Sequence, residues 1–507
     1  MKILAAICIE SYEMELKLFE IKKNVRKELC CARQRLELGK DTFRYKRLQN
    51  ATIRKLCEVL SRFQQTIKEY PIDSIRICAT TAVREAKNLP IILEQIWLQT
   101  GLKPLVLSNS EQRFLEYKAI ALNIKGFSEL IQSGTAILEA GSGSLQLSLF
   151  QAGKPLITQN IPLSAKRLKE QLEKNDYTYE QFEEFMKELA DYRLGEFERY
   201  YLKGNSIGQI VLFGEGARAF VKNSDDGLCI LKSGEFLESC RKLKQKSPDW
   251  IEQRLGGAEN SETLQAASVI YESFLTMTQA KKVIIPEIDL NDGLCYEYMQ
   301  EKGLLENEHN FEEDILNAAW DMAERYQCDR NHSSFVLKTA ILLFDGLKKK
   351  YGLTKRDRLL LELSVILHDC GKFVSIVKAA ECTYNIILAS EVMGLSHKER
   401  KMVAEIIRQS ALKTERTLDM ELEEEFMEDG IRIRKLSALL SIADFMDLSH
   451  RQKVLGIRLK QEKTEWKLTV KTKQDYRLER SLFHEAAGQF EEIYQLKPVL
   501  IWKRDDN

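Results

Sequence analysis

Residues 134–150 read GTAILEAGSGSLQLSLF. Ala136, Ile137 and Leu138 form an apolar run that ends on a carboxylate, Glu139. A Gly-Ser-Gly-Ser turn follows, after which Leu145, Leu147 and Leu149 alternate with Gln146 and Ser148. The pattern predicts strand, tight turn, strand. Two readings of the turn stand side by side. Its glycines let backbone N–H groups converge on a space that fits a phosphate, with the neighbouring carboxylate able to hold a divalent cation on it. A plain β-hairpin accounts for the same residues.

Toward the N-terminus the pattern stays mixed. Residues 3–9 read as a first strand and 14–21 (MELKLFEI) as a second, which makes a hairpin around residues 10–13. A helix is expected over 52–70, with Ile53, Leu56, Val59, Leu60 and Phe63 on one face, then a strand over 74–79. In the TTAVREAKN that follows, Thr80 and Thr81 are N-cap candidates, and Arg84 falls one turn into the helix they start. An arginine there opposes the helix dipole. Either a phosphate or a carboxylate such as Glu85 or Glu111 is its partner. Past a short strand at 104–107, residues 110–121 (SEQRFLEYKAIA) predict a helix capped by Ser110, with Glu111 in its first turn, where an acid commonly answers the dipole.

Toward the C-terminus, a charged helical stretch covers 179–201 and a strand 210–213. The GEGARAF after that strand is a glycine turn suited either to a ligand or to packing. From about 305 the chain turns helical, with its strongest amphipathic run at 358–373, RLLLELSVILHDCGKF. Alternation returns in GIRLKQ, WKLTVKT and PVLIWK, around a helix near 481–493.

The chain has 507 residues, which suggests roughly three or four domains. Its 76 basic and 76 acidic residues cancel, so no global field favours nucleic acid or a membrane, and neither is expected as a partner. The first apolar run is too short to span a bilayer and has no small-residue cleavage site. Eleven cysteines without a C-x-x-C suit free thiols in a reducing cytoplasm.

Six ordered stretches carry a resemblance: AAICIESYEMELKLFEI, ICATTAVREAKN, LSNSEQRFLEYKAI, AILEAGSGSLQLSLF, IPLSAKRLKE and VLFGEGARAF. Together they resemble the Ppx/GppA family of exopolyphosphatases and guanosine pentaphosphate phosphohydrolases. That resemblance implies an α/β, two-lobed actin/hexokinase-like ATPase fold, with lobes over 1–125 and 126–304. It also implies hydrolysis of a terminal phosphoanhydride of polyphosphate or a guanosine phosphate, with Mg²⁺ in the cleft. By the same resemblance the general base falls on Glu111, the phosphate-contacting arginine on Arg84, the second phosphate loop on Gly141, Ser142, Gly143 and Ser144, and the cleft carboxylate on Glu139. Ser11 falls in the first phosphate loop. There the family's D-I-G-S-N-S-x-R is replaced by Cys8, Ile9, Glu10, Ser11, Tyr12, Glu13, Met14 and Glu15. Acids in such a loop repel a polyanion, and Gln146 and Gln112 stand where the family carries further acids. A binding protein without turnover is therefore the rival expectation.

In the helical half, His332, the pair His368 and Asp369, and Asp444 follow the order H…HD…D of the HD phosphohydrolase superfamily. The resemblance implies an all-α HD-type domain over 305–455 and a small α+β piece over 456–507. It further implies a site for Mn²⁺ or another divalent ion, acting on a phosphoester. Hydrogen-bonded polar residues between packed helices are the alternative. Family members often pair through this half, which leaves a homodimer open.

Overall fold

The computed structural model describes residues 1–140, 144–163, 179–202, 204–218, 220–221, 227–246, 261–306, 309–411 and 429–504. The chain divides into two compact units, Met1–Phe311 and Glu312–Asn507.

The first unit holds two mixed sheets. In one, β1 (Lys2–Ile9), β2 (Glu13–Lys22), β3 (Val25–Arg35), β4 (Ser74–Ala79) and β5 (Leu105–Val106) take the order β3-β2-β1-β4-β5. The β1–β2 hairpin is as expected, closed by Glu10 N–H to the Glu13 carbonyl at 2.9 Å. β3, an outer strand of VRKELCCARQR, has too many charges to show as a strand in sequence, and it leaves much of itself exposed. Met14, Leu16 and Leu18 face the core of this lobe. The other side of β2 is also buried, because the helix Leu290–Glu301 packs on it. There Lys17 Nζ reaches Asp289 Oδ2 at 2.5 Å, Arg26 bonds Asp292, and Asn291 donates to Glu15 at 2.9 Å.

In the second sheet, β6 (Thr135–Ala140), β7 (Leu145–Gln151), β8 (Lys154–Ile161), β9 (Gln209–Phe213), β10 (Leu228–Lys232) and β11 (Lys282–Pro286) take the order β10-β11-β9-β6-β7-β8. The expected hairpin runs in register from Thr135 opposite Phe150 to Ala140 opposite Leu145. Its turn residues Gly141, Ser142 and Gly143 lie outside the described residues; Ser144 is half-buried at the foot of β7. Gln146 and Ser148 are buried like Leu145, Leu147 and Leu149, because Arg113 and Glu116 of the helix Asn109–Asn123 lie against that face.

The helix Asn109–Asn123 crosses Leu290–Glu301 at Gly293, where an added Cβ would lie 2.7 Å from the Leu115 carbonyl oxygen. Ser108 rather than Ser110 caps the first of these helices. Its Oγ accepts the Glu111 N–H, while the Glu111 carboxylate accepts the Ser108 N–H at 2.8 Å, a reciprocal capping box.

The second unit packs Arg330–Tyr351, Lys355–Leu367, Ala379–Ala389, His397–Ser410 and Gly430–Phe445 around a leucine-rich core. The amphipathic run expected to continue to 373 stops at Leu367. His368 and Asp369 form a turn, and a short 3₁₀ segment, Cys370–Phe373, follows. β12 (Val454–Gln461) pairs antiparallel with β13 (Glu465–Thr472), which pairs parallel with β14 (Lys497–Arg504). The connecting helix Arg477–Tyr494 stacks Phe490 on Trp466, ring centroids 5.1 Å apart. Among the described residues, no helix is long and apolar enough to cross a membrane.

Candidate functional site

Two places gather the residues singled out by sequence. In the first unit, the short helix Thr81–Arg84 presents Arg84 to the start of the helix Asn109–Asn123. The guanidinium bonds the Leu107 carbonyl, the Asn109 side chain and, at 2.9 Å, the Thr81 hydroxyl. Thr80 occupies the cap position, yet its hydroxyl turns to the Ile9 carbonyl at 3.4 Å. Arg84 and Glu111 therefore grip the same turn, residues 107–109, from two sides. Glu111 uses Oε2 for the Ser108 N–H, and among the described residues Oε1 has no protein donor.

The first loop is closed. Gly39 donates to the Ser11 carbonyl at 2.7 Å and Leu36 to that of Tyr12 at 3.0 Å, and the Tyr12 ring lies where a side chain on residue 39 would go, 2.8 Å from its Cβ position. Ser11 is buried in this turn. Cys8 sits opposite Cys78 across β1 and β4, sulfurs 3.4 Å apart. Burial, then Cys78, pushes the Cys8 thiol well up, so it stays protonated and cannot serve as the metal carboxylate it replaces. Glu15 is held by Arg33 at 2.5 Å and by Asn291. Its charge is thus paired within the protein, not bare as in the sequence.

Directly past Glu111 the same helix adds Arg113 and Glu116, which the sequence reading passed over. Arg113 donates to Gln146 Oε1 at 3.0 Å, and Gln112 donates to Glu116 Oε1 at 2.9 Å. Glu116 hydrogen-bonds Glu139, and burial first, with Glu139 next, raises its pKa well above the carboxylate range. Arg113, Glu116, Glu139, Gln146 and Ser148 line a cavity of about 20 Å³, room for about one water. The Gly214 turn packs on Glu139, a Cβ there falling 2.9 Å from Glu139 Cγ, so GEGARAF begins as a packing turn. The spacing 112, 113, 116 marks one helical stretch, but its partner strand could not be read without the fold. A hydrogen-bonded carboxyl pair is also an oxygen donor set that suits Mg²⁺ once its proton is lost.

In the second unit all four H…HD…D residues converge. His332 Nε2 lies 3.3 Å from His368 Nε2 and 3.1 Å from Asp444 Oδ1; His368 Nε2 lies 3.4 Å from Asp369 Oδ1 and 3.6 Å from Asp444 Oδ1. The outer ring nitrogens fix the tautomers. His368 Nδ1 can only donate to the Val365 carbonyl, at 2.7 Å, and His332 Nδ1 meets Asp447 Oδ2 at 2.9 Å. Neutral rings so held aim two Nε2 lone pairs at each other, an arrangement that calls for a proton or a cation between them. Burial opposes charging His332, but hydrogen bonds to Asp444 and Asp447 outweigh it and push its pKa up to about 9. His332, His368 and Asp444 offer donor atoms within 4.8 Å of one another, as do His332, Asp369 and His450. This nitrogen and oxygen set suits Mn²⁺, Fe²⁺ or Zn²⁺. Asp447 and His450 were missed by the sequence reading, although DFMDLSH places a second acid three residues after Asp444.

Residues 20–302 match the sequence profile of the Ppx/GppA phosphatase family, more than half of the chain. The chain belongs to the Ppx/GppA phosphatase family. Residues 317–489 match the same family's domain III, so an HD-type reading of this half rests on its His/Asp geometry. Relatives include the guanosine-5'-triphosphate,3'-diphosphate pyrophosphatases of Photobacterium profundum, 21% identical over 365 residues that make up 69% of each chain, and Vibrio vulnificus, 22% identical over 391 residues, 74% of this chain and 73% of that one. Similar folds are the Ppx/GppA family member of Aquifex aeolicus (TM-score 0.50, 19% identity, 61% of this chain and 99% of that one) and an exopolyphosphatase from Cytophaga hutchinsonii (TM-score 0.53, 14% identity, 59% and 98%). The α/β, actin-like fold expected for a Ppx/GppA protein is thus the fold observed.

Proposed function

We propose that this Ppx/GppA protein hydrolyses a terminal phosphoanhydride, of polyphosphate or of a guanosine phosphate, in the cleft of its first unit. The observation that carries this reading is the meeting of Arg84 and Glu111 on one turn at a helix N-terminus. A helix N-terminus attracts anionic oxygen. Arg84 and the backbone of Gly141, Ser142, Gly143 and Ser144 hold the phosphate, without Ser11, which is buried in the closed first loop. Glu111, anchored through Oε2, keeps Oε1 to orient a water and take its proton. Glu139, with Glu116 beside it, would hold Mg²⁺, whose charge offsets the charge developing on the phosphate oxygens. Because a charge-assisted bond contributes about 1.5–3 kcal/mol, Arg84→Gln should weaken polyphosphate binding in calorimetry roughly tenfold or more. Unchanged affinity removes Arg84 from the clamp.

The four-residue cluster favours a second reading. His332, His368, Asp369 and Asp444 would hold Mn²⁺ or a similar ion, supplying Lewis acidity for phosphoester hydrolysis in the second unit. His368→Ala should then lose the bound metal found by elemental analysis of the wild type. Equal metal content in both would make the cluster a helix-packing network.

A further inference from the structure

Cys328 and Cys370 lie on the two segments that carry the His/Asp cluster. Cys328 closes the turn after the helix Phe311–Arg325: Gln327 is left-handed (φ 55°), and the Cys328 N–H reaches the Ala323 carbonyl at 3.0 Å. It directly precedes Asp329, whose side chain caps the helix of His332 and lies 3.5 Å from His450. Cys370 directly follows Asp369. The two sulfurs are 3.6 Å apart, joined by a thiol hydrogen bond; Cys370 is buried and Cys328 half-exposed. Cys8 and Cys78 are as close, but both are wholly buried within a sheet. Cys328 is thus a sulfur that a small oxidant can reach, with a second thiol behind it.

We propose that Cys328 and Cys370 form a reversible oxidation site, converted by a hydroperoxide into a disulfide that ties the His332 helix to the His368–Asp369 turn. The Cys328 sulfur attacks one peroxide oxygen and the O–O bond breaks. Cys328 becomes a sulfenic acid, and the departing oxygen leaves as water or alcohol with the thiol proton. The Cys370 sulfur then attacks the Cys328 sulfur, the S–O bond breaks, and hydroxide leaves as water with the Cys370 proton. Two thiols lose two electrons in all, and one peroxide gains them. A dithiol reverses the reaction by exchange.

Bond formation needs the sulfurs to close by roughly 1.5 Å. The Cys370 side cannot give: a Cβ on Gly371 would fall 2.0 Å from the Ala379 carbonyl oxygen, and the Gly371 N–H is held by Thr383 Oγ1 at 2.8 Å. Movement therefore falls on residues 327–329, and through Asp329 on His332 and on His450, whose ring stacks on His332 at 3.6 Å. Weaker metal binding in the oxidised form follows, a consequence that rests on the metal reading of the cluster.

The test treats the full chain with hydrogen peroxide, blocks remaining thiols with a maleimide, maps peptides by mass under non-reducing conditions, and titrates Mn²⁺ into reduced and oxidised protein. A Cys328–Cys370 linked peptide is expected, reversed by dithiothreitol and absent in Cys328→Ser, with Mn²⁺ affinity lowered roughly tenfold or more. Maleimide on both cysteines after peroxide, or Cys328 linked elsewhere, overturns the site. A linked chain with unchanged Mn²⁺ affinity overturns its coupling to the cluster. A linked chain that binds no Mn²⁺ in either state upholds the oxidation site and removes the metal reading instead.

Discussion

Glu116 and Glu139 meet at the small cavity they line, and that contact has a consequence in pH. Burial, with Glu139 next, holds the Glu116 carboxyl well above its usual range. An acid whose folded pKa lies above its unfolded value of about 4.3 favours the fold when protonated. That support is complete below the unfolded value and is lost as pH rises through the folded one. Glu116→Gln keeps the shape and removes the charge. Its melting temperature should exceed that of the wild type at pH 8 and match it at pH 4; a variant no more stable at pH 8 contradicts the shared proton. Arg84, Glu111 and Glu139 could be named from sequence because each lies in a stretch that resembles a motif of the Ppx/GppA family. Glu116 could not, because its partner strand is fixed by the tertiary fold.

At the scale of elements, the crossing of the helices Asn109–Asn123 and Leu290–Glu301 sets the position of the catalytic candidates. Gly293 permits it, with Leu115 backbone where a side chain would stand. Gly293→Ala should lower the urea midpoint by the equivalent of about 1–3 kcal/mol. Gly195, in the helix Tyr179–Phe197 with nothing among the described residues within 4 Å of its Cβ position, serves as the control. There alanine should stabilise by up to about 1 kcal/mol. Equal effects at both glycines would contradict the close crossing. The strands β1, β2, β4, β6, β7 and β9 were legible because apolar alternation and glycine turns are local signals. The second buried face of β2 was not: Lys17 and Glu15, with Arg26 of the neighbouring β3, are satisfied by Asp289, Asn291 and Asp292, more than 250 residues away. The helix stop at Leu367 escaped the reading for a related reason. RLLLELSVILHDCGKF keeps its apolar period across the turn that the cluster requires.

At the scale of the whole chain, two units each carry polar residues suited to phosphate chemistry. The first has an arginine, a helix N-terminus and a carboxylate pair; the second has two imidazoles with their Nε2 atoms facing and two carboxylates. The closed first loop and the Arg113–Gln146 bond mark departures from the pattern of the family, while the capping-box Glu111 keeps one oxygen without a donor among the described residues. The most direct measurement is phosphate release from long-chain polyphosphate, with Mg²⁺ and with Mn²⁺, run in parallel on wild type, Glu111→Gln and Asp369→Ala. The cleft account predicts release by wild type and Asp369→Ala and a loss of about 10²–10⁴-fold in Glu111→Gln. Release by Glu111→Gln at the wild-type rate, or no release by wild type with either ion, would contradict it.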